Sequence, residues 1–115
     1  MSKISISLYE LTAFFECTPT TTEEGVDWPY NDFMFEKTVD NIFISLSLFP
    51  AYKDAHLIVS SENHIIYELN VTGISDVKYI SQDYQESLLL VLSKTEHLQI
   101  QLAPQISVQH TFSNT

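Results

Sequence analysis

Residues 41–49, "NIFISLSLF", place Ile42, Ile44, Leu46 and Leu48 at one parity and Phe43, Ser45, Ser47 and Phe49 at the other. A period of two is the signature of a half-buried strand and cannot be laid on one face of a helix. The same alternation returns in "KISISL", where Ile4, Ile6 and Leu8 oppose Ser5 and Ser7, and in "ISVQHTF", with Ile106, Val108, His110 and Phe112 in phase. After Leu8 the parity slips to Tyr9, Leu11, Ala13 and Phe15, which is expected to be a β-bulge in a continuing strand, with a short helix as the alternative. "FMFEKTV" reads as a short returning strand, and Pro50 closes the strand that follows it.

Two hairpins can be matched by asking which loop sets like residues opposite like. Across Ser61, Glu62 and Asn63, a three-residue loop puts Val59 opposite Ile65, Leu57 opposite Tyr67 and Ala55 opposite Leu69, with His56 opposite Glu68 on the other face. Asn63 suits the left-handed position such a loop requires. Across Lys94, Thr95 and Glu96, the same logic puts Leu92 opposite Leu98, Leu90 opposite Ile100 and Leu88 opposite Leu102. Leu88 to Leu92 is apolar at every position, which predicts a strand inside a sheet. "TGISDVKYISQDYQ" is rich in β-branched and aromatic residues and is assigned as a strand. The expected fold is all-β: an antiparallel sandwich or open barrel of about seven or eight short strands in one domain over residues 1–115.

Charge narrows the function classes. Fifteen Asp and Glu stand against five Lys, and the formal net charge is −10 at pH 7. With no arginine to grip phosphate, direct nucleic-acid binding and docking on anionic membrane are both disfavoured, and a basic protein partner is favoured. The charge is concentrated: Glu10, Glu16, Glu23, Glu24, Asp27, Asp32, Glu36 and Asp40 stand against Lys37 alone between residues 10 and 40. No apolar run approaches the ~20 residues of a membrane span and "MSKISISLYE" lacks the apolar block of a signal peptide, so a soluble cytoplasmic protein is expected. The single Cys17 fits a reducing compartment and reads as a buried, inert thiol.

Catalytic constellations are not apparent. Gly25 and Gly73 are too few for a phosphate-cradling loop, Cys17 has no flanking nucleophile signature, and His56, His64, His97 and His110 lack ligand spacing. Glu23, Glu24 and Asp27 lack the order of a calcium loop. Neither an enzymatic activity nor a cofactor or metal is expected.

What remains is "TTEEGVDWPYNDFMFE", residues 21–36, with five carboxylates, a tryptophan, a tyrosine and two phenylalanines. Thr21 and Glu24 have capping-box spacing, but Gly25 and Pro29 leave room for one helical turn at most, so residues 18–32 read as a long surface loop. One reading has Trp28, Phe33 and Phe35 plugging the end of the sandwich. In the other, Trp28 and Tyr30 are partly exposed contacts for a cationic protein, ringed by Glu23, Glu24, Asp27, Asp32 and Glu36, with Pro29 stiffening the presentation. In size, charge and lack of catalytic residues the chain resembles the small acidic inhibitors that bacteria use against basic nucleases, such as the immunity partners of secreted toxins. The resemblance lies in composition; no motif carries it, and it brings no functional residue with it. It implies a stoichiometric inhibitor of a basic toxin or nucleic-acid enzyme. The competing class is a scaffold or adaptor subunit that binds through exposed strand edges.

Overall fold

The alternating segments become strands of two stacked sheets. The computed structural model describes residues 6–21, 32–83 and 85–112. Among them are one helix, α1 (Leu8–Phe15), and nine strands: β1 (Thr20–Thr21), β2 (Phe33–Val39), β3 (Ile42–Phe49), β4 (Asp54–Ser61), β5 (His64–Val71), β6 (Asp76–Gln82), β7 (Gln85–Val91), β8 (Glu96–Gln101) and β9 (Ser107–Phe112). The first five form one antiparallel sheet in chain order, and β6 to β9 form a second. Each sheet turns one parity inward. Phe35, Ile44, Leu46 and Leu57 of the first join Val77, Leu88, Leu90, Leu98 and Ile100 of the second in one core with no measurable exposure. At about 1.5–3 kcal/mol per buried large side chain, this cluster dominates stability. The result is the expected all-β sandwich, and β7 lies inside its sheet as the apolar run predicted.

The N-terminal corner differs from expectation. The phase slip after Leu8 is a helix, not a bulge. Ser7 caps it: its Oγ accepts from the Glu10 N–H at 3.1 Å, while its own N–H donates to Glu10 Oε1 at 3.0 Å. This reciprocal cap satisfies two otherwise orphaned donors and favours the helical turn over an extended continuation. Leu11, Phe14 and Phe15 form its buried face, with Phe15 stacked on Phe35 at 5.4 Å, and Glu16 ends it in the left-handed region. Half of the strand expected in "KISISL", residues 3–5, lies outside the described residues, and the other half is not strand: Ser7 caps the helix and Leu8 opens it, while Ile6 is buried and donates its N–H to the Val77 carbonyl. Within the expected loop, Thr20 and Thr21 pair with Met34 and Phe33 as β1. The capping spacing of Thr21 and Glu24 falls partly outside the described residues.

Both hairpins keep their predicted faces but shift register by two. In β4–β5 the loop is two residues, Glu62 and Asn63, both at positive φ, as a type I′ turn requires. Left uncorrected, that turn would set the two apolar parities on opposite faces. A bulge between Val59 and Ser60 restores them, so Val59 faces Tyr67, Leu57 faces Leu69 and Ala55 faces Val71. In β7–β8 the loop is Ser93 to Thr95, with the Leu92 N–H bonded to the Glu96 carbonyl, so Leu90 faces Leu98 and Leu88 faces Ile100. The β2–β3 turn, Asp40 and Asn41, is again at positive φ in both residues.

Candidate partner-binding surface

The acid-rich stretch is held at its base by the five-stranded sheet. Thr21 and Phe33 face each other across β1 and β2, fixing where the intervening segment leaves and re-enters. Glu23, Glu24, Asp27, Trp28 and Tyr30 lie outside the described residues. Phe33 and Phe35 belong to the core, as the plug reading has it, at 5% and 0% exposure. Their burial points the intervening Met34 and the following Glu36 to the outside of the sheet. Glu36 is exposed there, and Asp32 is half-buried at the rim of a shallow depression of about 200 Å³ that also takes in Ser47, Phe49, Asp54, His56 and Asn70. The sequence put Asp32 and Glu36 in one set; Asp54, which pairs with Phe49 across the β3–β4 turn, it did not.

His56 does not stand directly opposite Glu68, because the two-residue register shift puts Asn70 there. The pair forms diagonally instead, His56 Nε2 to Glu68 Oε2 at 2.7 Å. A second such pair, His110 to Glu96 at 2.7 Å, lies in the other sheet, with the His110 ring stacked near Phe112 at 4.7 Å. Tyr67 faces the core from β5. Burial, with a smaller effect from the Glu96 charge, pushes its hydroxyl pKa up. Cys17 is half-buried against the core.

A separate cleft of about 580 Å³ opens between the sheets, walled by Phe14, Val39 and Leu102. Its charged residues are Glu16, Lys37 and Glu86. Lys37 occupies an inward-facing position on β2, and its Nζ donates to Glu16 Oε1 at 2.7 Å. That hydrogen bond, reinforced by the ammonium charge, holds the Glu16 carboxyl below the usual carboxylate range. Glu86 enters from β7 and accepts from the Tyr79 hydroxyl at 2.8 Å, which raises the Tyr79 pKa. Lys37 and Glu16 neutralise each other, and Glu86 leaves the cleft with a net negative charge. Sequence reasoning missed Glu86 and Tyr79, since only the β6–β7 pairing brings them beside α1.

The sandwich and its acidic rim can be set beside known proteins. This fold is also that of a chain in the contact-dependent growth inhibition toxin–immunity protein complex from Klebsiella pneumoniae 342. The match covers 92% of this chain and 93% of that one, with a TM-score of 0.76 and 14% sequence identity. No protein-family model matches the sequence, and no curated protein does. At that identity the likeness establishes the shared architecture, while the side chains on the surfaces are this chain's own.

Proposed function

We propose that this chain is an immunity-type protein: a small, non-catalytic, cytoplasmic bacterial inhibitor that binds a basic toxin, such as a nucleic-acid enzyme, one to one. The observation that carries this reading is the end-to-end likeness to a chain of a toxin–immunity complex. The charge supports it independently, because an enzyme that acts on nucleic acid needs a basic cleft and a protein at −10 is drawn to such a surface. Among the described residues no helix is long and apolar enough to cross a membrane.

In this reading Trp28 and Tyr30 are the desolvated contacts, and Glu23, Glu24, Asp27, Asp32 and Glu36 steer the encounter. The test is to mix the protein with the product of the gene adjoining its own, measure stoichiometry and rates, and assay that product's toxicity. Trp28→Ala is expected to lose about 2 kcal/mol or more of affinity, mainly through faster dissociation. Reversal of Glu23 and Glu24 to Lys is expected instead to slow association and flatten its salt dependence. If Trp28→Ala unfolds the free protein, that residue is a plug. Normal binding by both folded variants moves the interface elsewhere, and recovery of the chain in a multisubunit assembly with no toxic partner favours an adaptor that uses the open edges of β5 and β9.

A further inference from the structure

The outer face of the five-stranded sheet has features that the core does not explain. Its parity is fixed by register: Glu36, Ser45, Ile58 and Glu68 form one cross-strand row, and Met34, Ser47, His56 and Asn70 form the next. In the row beyond, Phe43 faces Ser60, which faces Ile65 beside the bulge. Among the described elements none lies over this face, because α1 and the second sheet both sit on the other side, against Phe35 and the core. At its centre Ser45 is covered by its larger neighbours, and Ser47 lines the depression at Asp32. Ile65 and Ile66 are each 59% exposed at its edge, an uncommon placement for two adjacent large aliphatics.

Carboxylates dominate this face, where Glu68 is paired with His56 at 2.7 Å. Asp32, Glu36, Asp54 and Glu68 reach it from four places in the chain. The only lysine on the strands of this sheet, Lys37, occupies an inward-facing position and is bonded to Glu16. Lys53 lies beyond the strand end, in the turn before β4. Glu36 and Glu68 stand three strands apart, about 14 Å at ordinary strand spacing. A sheet face with exposed aliphatics at one edge, several carboxylates and the depression at Asp32 is complementary to a protein segment that carries apolar side chains flanked by lysine or arginine.

We propose that the outer face of the β1–β5 sheet, from Asp32 across Ser45 and Ile58 to Ile66 and Glu68, is a docking face for a basic protein partner. The assignment rests on the immunity-type reading above and extends its contact surface from the segment of residues 21–36 onto the sheet. The probe is the product of the adjoining gene. Carboxyl groups are labelled with a carbodiimide and an amine in the free protein and in the mixture, and modified peptides are read by mass spectrometry, with Glu86 in the cleft as the internal control. Binding is then measured for Glu36→Lys and Ile66→Asp, two exposed positions where a melt by circular dichroism confirms the fold.

The expected result is slowed labelling of Glu36 and Glu68 with Glu86 unchanged, and a loss of affinity of about tenfold or more for each variant. A complex that protects Glu86 but leaves Glu36 and Glu68 reactive, with both variants binding normally, overturns the face and leaves the inhibitor reading standing. No complex with that probe overturns both. Protection that appears as the protein's own concentration rises, without the probe, assigns the face to a second copy and also overturns the proposal.

Discussion

On the outside of the four-stranded sheet, Lys78, Leu89, Gln99 and Gln109 stand in one cross-strand row; on the outside of the five-stranded sheet the comparable row is Glu36, Ser45, Ile58 and Glu68. The first row belongs to a face whose amides bond inward to their neighbours: Gln99 and Gln101 both donate to Ser87 Oγ, at 2.9 and 3.3 Å, and Ser87 is only 4% exposed. The second belongs to a face with several carboxylates, no strand lysine and two exposed isoleucines. The amides of the four-stranded sheet bond within the sheet, whereas the five-stranded sheet carries one such side-chain pair, His56 with Glu68, beside an exposed Glu36 and two exposed isoleucines. Of the acids in the first third of the sequence, Asp32 and Glu36 reach the outer side of the five-stranded sheet, where β4 and β5 add Asp54 and Glu68.

The two differently dressed faces share one core, and the largest expected effects come from emptying it. Phe35→Ala should cost about 3–5 kcal/mol and Leu98→Ala about 2–5 kcal/mol, each from a fully buried position in a different sheet. Both should move a single cooperative unfolding transition followed by fluorescence and circular dichroism. Two separated transitions in either variant would mean that the sheets hold together independently, and the contrast between their faces would then be one between two units.

A smaller pair of effects separates the faces themselves. Ser87→Ala removes the acceptor shared by two glutamines and should cost about 1 kcal/mol in chemical denaturation. Ile66→Ser, on the five-stranded sheet, should change stability by less than about 0.5 kcal/mol, because the side chain is mostly in water already. Equal costs would show that Ile66 has a structural role, and the apolar edge would need no partner to account for it.

The faces were legible in the sequence and the registers were not, for a physical reason. Alternation specifies parity, and a shift of two residues leaves parity intact. The apolar pattern alone therefore accommodates Leu57 opposite Tyr67 as well as Leu57 opposite Leu69. Turn chemistry and a bulge choose between them, through Glu62 and Asn63 at positive φ and the irregularity after Val59. The helix was legible in principle: Ser7 and Glu10 have the capping-box spacing, but two preceding isoleucines in strand phase mask it. Of the candidate surface, Asp32 and Glu36 stand close together in sequence and their neighbourhood was readable. The arrival of Asp54 and Glu68 on the same face was not, since it depends on strand order. Nor was the fate of Lys37: a lone cation among eight acids has many possible partners, and only the geometry of α1 against β2 selects Glu16.

That selection leads to the smallest effect, and it bears on why the outer face keeps its charge. The Lys37 side chain is 26% exposed and its Nζ lies 2.7 Å from a Glu16 carboxylate whose side chain is 73% exposed, so water and salt screen the pair and its contribution to stability is slight. Its titration is nonetheless distinct. Glu16 has a folded-state pKa below its unfolded value, so whatever stability the pair contributes is present above the ordinary carboxylate range and is lost as pH falls through the depressed folded value. An NMR titration of the Glu16 side chain should show a midpoint below that of an ordinary glutamate, and Lys37→Met should move it up to the ordinary range while the melting temperature at neutral pH barely changes. An unchanged midpoint in Lys37→Met would mean the lysine is not held by Glu16 in solution. Lys37 would then be available to neutralise carboxylates elsewhere on the acidic side, and the charge contrast between the two outer faces would be weaker than the strand parities make it.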